Sequence, residues 1–257
     1  MSVRTDSPEP RRRTALITGV GRAASIAHGI AVALAEDGWD LALLGWRSYD
    51  ESTSYGGGVG DVDDLERRLR SLGARVARID GDLADPDVPE AVVSRALREL
   101  GTLDALVLSH SQSIDSSISD TTVESFDRHF AVNVRAAWLL IREFAALERT
   151  SGRIVALTSD HVVHNLPYGA SKGALDRVVL AAAGELAARG ITANLVNPGP
   201  IDTGWMDDGT RRALVAEQPT GRLGTPADAA RLVRFLVSDE AAWVTGQLIT
   251  SDGGFSA

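Results

Sequence analysis

Short apolar runs alternate along the chain with segments whose apolar residues recur every three to four positions, the pattern of strands alternating with amphipathic helices. The strand runs are Thr14 to Thr18, Trp39 to Trp46, Arg75 to Ile79, Leu103 to Leu108, Ile154 to Leu157, Thr192 to Val196 and Val244 to Ile249. Helical periodicity covers 26–36, 62–72, 89–100, an interruptible stretch at 121–147, 168–189 closed by Gly190, and 226–238. Trp39 to Trp46 is apolar almost throughout rather than alternating, as a parallel strand buried on both faces would be. The pattern predicts an α/β fold in one domain over 13–257: a doubly wound parallel sheet of about seven strands with helices on both faces. Residues 1–12 read as a flexible tail, 48–60 as a glycine-rich insertion loop, and Ile201 to Gln218 as a lid-like segment.

Composition narrows the partners. With 26 basic and 35 acidic residues the net charge is −9, which argues against nucleic acid or an anionic membrane surface. The basic cluster Arg11 to Arg13 falls in the expected solvated tail. The absence of cysteine removes disulfides and thiolate chemistry. No apolar run approaches the roughly 18 residues of a membrane span, and no signal-peptide core is visible. The expectation is a soluble cytoplasmic protein acting on a small molecule.

The polar and glycine residues gather where strands end. Gly19 opens G-V-G-R-A-A-S, a turn that offers backbone N–H groups and a helix N-terminus to an anion. Arg47 ends the second strand, Asp82 and Leu83 follow the third, Ser109 the fourth and Ser159 the fifth. In a doubly wound sheet these are the ligand-binding ends, so the fold is Rossmann-type and a dinucleotide is the expected ligand. At the second strand end Arg47 takes the place of an acid and Arg22 lies in the first loop. Two guanidiniums suit a 2′-phosphate, favouring NADP(H) over NAD(H), unless either is simply solvated. Tyr168 and Lys172, four apart, share one helix face, and the cation should draw the phenol below its ordinary value of about 10. Ser159 could hydrogen-bond the same substrate oxygen. Asn133, polar among apolar neighbours, is either a satisfied core amide or part of a proton path.

Thr18-Gly19, Asp82-Leu83, V-N-V at Asn133, Ser159, Y-G-A-S-K at 168–172, N-P-G-P-I-D-T at 197–203 and the closing D-G-G together resemble the short-chain dehydrogenase/reductase family from about Arg13 to Gly254. The nearest-looking members are bacterial 3-oxoacyl-thioester reductases. The resemblance implies Tyr168 as acid/base, Lys172 as its partner and nicotinamide-ribose ligand, Ser159 orienting the carbonyl, and Asn133 supporting a water. It also implies Pro198, Gly199, Ile201 and Thr203 at the nicotinamide and a homotetramer or homodimer, while the lack of H-x-x-x-H spacing on one helix argues against a metal.

Three departures stand out. The first loop resembles that of enoyl-thioester reductases, with Ser25 and Ile26 toward the pyrophosphate. The usual N-N-A-G is Ser109-His110-Ser111-Gln112, so His110 and Gln112 could reach the substrate. Ser159 and Tyr168 are some four residues closer than usual; Asp160, His161 and His164 stand in this shortened wall, and His161, Trp205 and Met206 are candidate substrate contacts. The expected activity is NADPH-dependent reduction of a carbonyl, of ketone or 3-oxoacyl type, to a secondary alcohol, in a reversible reaction. Reduction of an activated C=C or C=N bond and a non-catalytic NADP sensor are the alternatives.

Overall fold

The computed structural model describes residues 11–53 and 60–257. Most of the expected tail and six residues of the expected glycine-rich loop therefore lie outside the described residues. In chain order the elements are β1 (Thr14–Thr18), α1 (Ile26–Glu36), β2 (Asp40–Gly45), α2 (Arg47–Ser52), α3 (Asp61–Ser71), β3 (Val76–Asp80), α4 (Val88–Leu100) and β4 (Ala105–Leu108). They continue with α5 (Val123–Phe130), a π-helical turn (Ala131–Arg135), α6 (Ala136–Ala146), β5 (Gly152–Leu157), α7 (Leu166–Leu186), β6 (Ile191–Asn197), α8 (Asp208–Glu217), α9 (Pro226–Leu236) and β7 (Leu248–Thr250).

The seven strands form one sheet in the order β3-β2-β1-β4-β5-β6-β7, every pairing parallel. Side chains alternate across each strand, so one strand feeds two cores. Leu16 joins Val92, Phe144 and Val179 on the face covered by α4, α6 and α7. Its neighbours Ala15 and Ile17 join Ile30, Leu69 and Val233 under α1, α3 and α9. The strand order turns back between β1 and β4, which opens a crevice at their carboxyl ends. No helix among the described residues is long and apolar enough to cross a membrane.

Local chemistry sets the helix ends. Ser25 caps α1 by accepting from His28 N at 3.1 Å, Thr225 and Asp228 form a capping box on α9, and left-handed Gly190 (φ 67°) closes the 3-10 turn after α7.

The interruptible helix at 121–147 is interrupted, by the π-turn carrying Asn133. Three expectations change. Arg47–Ser52 is a short helix rather than loop. β7 is only Leu248–Thr250, because Thr245 and Asn194 side chains tie the preceding turn to β6. Arg11 to Arg13 are not free in solvent: Arg11 pairs with Asp104, Arg12 with Asp40 and Arg13 with Asp239. The chain's entry into β1 is thereby stitched to the amino ends of β2 and β4.

Candidate active site

β5 ends at Leu157, and Thr158 N still reaches Val196 O at 2.9 Å, so Ser159 is the first residue to leave the sheet. The shortened wall then turns sharply. His164 takes φ 64°, the one positive φ outside glycine among the described residues, before Asn165 caps α7. Pro167 sits in the first turn of α7, where its missing N–H costs nothing. Tyr168 and Lys172 follow on one face.

Lys172 is buried, with Nζ donating to Leu157 O at 2.9 Å and lying 5.6 Å from the Tyr168 ring centroid. It is the only lysine in the chain; every other basic side chain except histidine is arginine. Burial pushes its pKa down from 10.5 to about 8, while the charge of Asp176 one turn on works against that fall. Asp176 is itself fastened, accepting from Thr158 Oγ1 at 2.5 Å. The Tyr168 phenol is displaced upward, not downward as Lys172 was expected to draw it. Burial is the larger effect and outweighs a hydrogen bond from Ser159, and the Asp160 charge adds to the rise. The phenol is thus held in its acid form.

Asn133 is buried in the π-turn and its amide is satisfied. Oδ1 accepts from Gln112 N at 2.7 Å, and Nδ2 donates to Gln112 O at 3.0 Å and to Ser171 Oγ at 2.8 Å. Ser171 in turn donates to Tyr168 O at 2.7 Å, so Asn133 braces the first turn of α7.

Both ring nitrogens of His110 are engaged within the fold. Nδ1 lies 2.6 Å from Thr18 Oγ1 and Nε2 3.0 Å from Val132 O, which ties β1, β4 and the π-turn together. Burial, reinforced by the Lys172 charge, depresses its pKa to about 3, so the ring is neutral. A neutral imidazole between a hydroxyl and a carbonyl donates through Nε2 and accepts at Nδ1. Gln112 and Met206 are likewise buried, whereas His161 and Trp205 are exposed.

The crevice between β1 and β4 fits a dinucleotide. Gly19 (φ 80°) brings the first loop so close to β4 that a Cβ would lie 2.7 Å from Ser109 O. Ser109 N donates to Thr18 Oγ1 at 3.0 Å, and Ser25 and Ile26 stand at the N-terminus of α1. Gly199 (φ 61°) follows Pro198 at the β6 end. Ile201 is buried and bridges Gly224, and Thr203 O accepts from Arg22 Nη1 at 2.9 Å.

The adenosine end departs from expectation. Arg47 lines a pocket at the β2 end together with Asp50, Glu51 and Asp80, but Arg22 is held by Thr203 and lies 3.8 Å from Asp50, so the two guanidiniums do not form one clamp. The β2 end, which looked free of acid, is not: α2 folds Asp50 back against Gly21. Burial raises the Asp50 pKa, opposed by Arg22 and helped by Asp80 and Asp61. Asp82, just after β3, pairs with Arg128 at 3.0 and 2.9 Å and accepts from Ala84 N, while Leu83 is buried. Arg128 also stands 4.8 Å from the Trp46 ring centroid. Neither Asp50 nor Arg128 carried a local sequence signal.

The chain was compared with known proteins. Residues 19–256 match a family model described as enoyl-(acyl carrier protein) reductase. An uncharacterized oxidoreductase, YjdA, of Bacillus subtilis is 36% identical over 95% of this chain and 97% of its own length. Versicolorin reductase 1 of Aspergillus parasiticus is 32% identical over 94% of this chain and 95% of its own. A short-chain dehydrogenase from Burkholderia cenocepacia, solved in complex with NADP, superposes with a TM-score of 0.85 at 32% identity, covering 96% of this chain and 98% of that one. With the strand order and the Ser159, Tyr168 and Lys172 positions, these likenesses establish that the chain belongs to the short-chain dehydrogenase/reductase family of oxidoreductases.

Proposed function

We propose that the protein is an NADPH-dependent carbonyl reductase that converts a ketone to a secondary alcohol and runs in reverse as an alcohol dehydrogenase. The observation that carries this reading is the Tyr168 phenol, held protonated by burial and hydrogen-bonded with Ser159 at a strand end, with Lys172 beneath it. When bound, NADPH supplies the hydride. Ser159 orients the substrate oxygen, Tyr168 Oη gives it a proton, and the Lys172 cation stabilises the phenolate left behind. Thr18, Gly19, Ser25 and Ile26 would hold the pyrophosphate, and Arg47 the 2′-phosphate. The Burkholderia relative's NADP complex and the position of Arg47 in a pocket at the β2 end both favour NADPH.

Tyr168→Phe removes the donated proton and leaves the fold, so kcat should fall by roughly 10² to 10⁴ with NADPH affinity retained; full turnover in this variant on an identified substrate would refute the mechanism. Reduction of an activated C=C bond is the second reading, favoured by the family model's description and by the Ser25-Ile26 loop. Tyr168 and Lys172 stand one helical turn apart, which favours the carbonyl reaction, and parallel assays with ketone and enoyl substrates separate the two. Assembly of two or four copies fits the same reading, since Phe235, Leu248 and Trp243, the last 97% exposed, leave apolar surface around the final helix and strand. Light scattering coupled to size exclusion would report a monomer if this is wrong.

A further inference from the structure

Three consecutive residues at the end of β5 each reach a different turn of α7. Leu157 O accepts from Lys172 Nζ at 2.9 Å, Thr158 Oγ1 donates to Asp176 Oδ1 at 2.5 Å, and Ser159 hydrogen-bonds the Tyr168 phenol. Residues 168, 172 and 176 are four apart, so their side chains rise along one face of the helix. The chain between Ser159 and Tyr168 is a poor spacer, because residues 160–164 are all exposed. α7 packs chiefly on β6 and the π-turn, and the side-chain bonds are its link to the end of β5.

Two of these bonds involve groups that take part in the proposed chemistry, Tyr168 and Lys172. The Thr158–Asp176 bond involves none. Thr158 is buried and its backbone N still donates to Val196 O at 2.9 Å, so the hydroxyl is anchored in the sheet. Asp176 stands in the interior of a 21-residue helix, where aspartate is a poor helix former. Burial there raises its pKa, and the Thr158 hydroxyl is the first of the contacts that oppose the rise.

Resting on the carbonyl-reductase reading, we infer that Thr158 and Asp176 are a positioning pair for the reaction: their bond sets the height of α7 against the end of β5, and so brings Ser159 and Tyr168 to one substrate oxygen. The bond can persist while Lys172 and Tyr168 change partners, because neither of its members reacts.

A double-mutant cycle tests the pair. Thr158→Val, which keeps the shape and removes the donor, and Asp176→Ala should each lower kcat on a ketone about tenfold or more, since a misplacement of about 1 Å can cost about 10²-fold. The two together should cost no more than either alone. Asp176→Asn keeps an oxygen for the Thr158 hydroxyl and should retain kcat within about threefold. NADPH affinity, by fluorescence titration, should not change in any of them. Should Asp176→Ala fold poorly, Thr158→Ser, which restores the donor, should recover the kcat that Thr158→Val loses. The single lysine gives a readout that needs no substrate. The Lys172 ¹³Cε resonance should titrate higher than wild type in Thr158→Val, where the loosened helix lets water reach Nζ, and lower in Asp176→Asn, which keeps the bond and loses the charge. Full kcat in Thr158→Val, costs that add in the double variant, or a lysine titration that moves the same way in both variants would overturn the inference. A wild type that binds NADPH and reduces no ketone would instead overturn the carbonyl-reductase reading, and the lysine titration would still decide on the pair.

Discussion

Lys172→Met should make the protein more stable while abolishing its chemistry. In the folded chain the ammonium is 3% exposed and its pKa falls from 10.5 to about 8. At about 1.36 kcal/mol per pH unit, that fall corresponds to roughly 3 kcal/mol of stability lost by burying the cation at neutral pH. Methionine fills nearly the same volume without charge. It leaves the Leu157 carbonyl without its donor, so the net gain should be about 2 kcal/mol. The sign across pH is fixed by linkage. Below about 8 both folded and unfolded chains hold the proton and the penalty is constant. Between about 8 and 10.5 only the unfolded chain holds it, so wild-type stability climbs with pH, and above 10.5 the penalty is gone. Denaturant titrations at several pH values should therefore show two curves, with the variant ahead at pH 7 and the wild type overtaking it before pH 10.5, where only the lost bond to Leu157 O separates them. Because the chain has one lysine, a ¹³Cε-labelled sample gives a single titrating resonance with which to place its pKa directly. A variant less stable than wild type at pH 7, or a difference that does not change with pH, would refute the reasoning.

Other consequences can be checked more briefly. Gly19→Ala places a Cβ 2.7 Å from Ser109 O at φ 80° and should cost roughly 1–2 kcal/mol or more, with weaker NADPH binding by fluorescence titration; an unchanged Tm would count against the close approach. His110, neutral in the fold with a pKa of about 3, contributes stability that is complete above pH 6.5 and lost as pH falls toward 3. His110→Asn should flatten acid unfolding between those values, at up to about 1.36 kcal/mol per pH unit. Arg47→Ala should raise the Kd of NADPH about tenfold or more and leave that of NADH nearly unchanged, as measured by calorimetry; equal effects on both would remove the argument for the 2′-phosphate.

What could be read from the chain was what depends on neighbours in sequence. β1 and α1 fall on their expected residues, because an apolar five-residue run and a capped 3.6-residue period are each complete in one window. The doubly wound sheet follows from their alternation. The missed features are those made by residues far apart in sequence. Arg128 meets Asp82 across 46 positions, and Arg11 meets Asp104 across 93. Nothing in either local segment marks the pairing. Asp50 was assigned to a loop, and only its place on α2 turns its carboxylate onto Gly21. The direction of the Tyr168 shift failed for a related reason: spacing gives the distance to a charge, but not the burial that opposes it.

The solitary buried lysine gives the protein an unusual weakness. An endoprotease that cuts only after lysine finds no accessible bond while α7 is intact, so the folded chain should survive digestion whole. Once α7 opens, a single scission splits the polypeptide in two between Lys172 and Gly173, and the rate at which those two fragments accumulate becomes a clock for how often the catalytic helix comes apart.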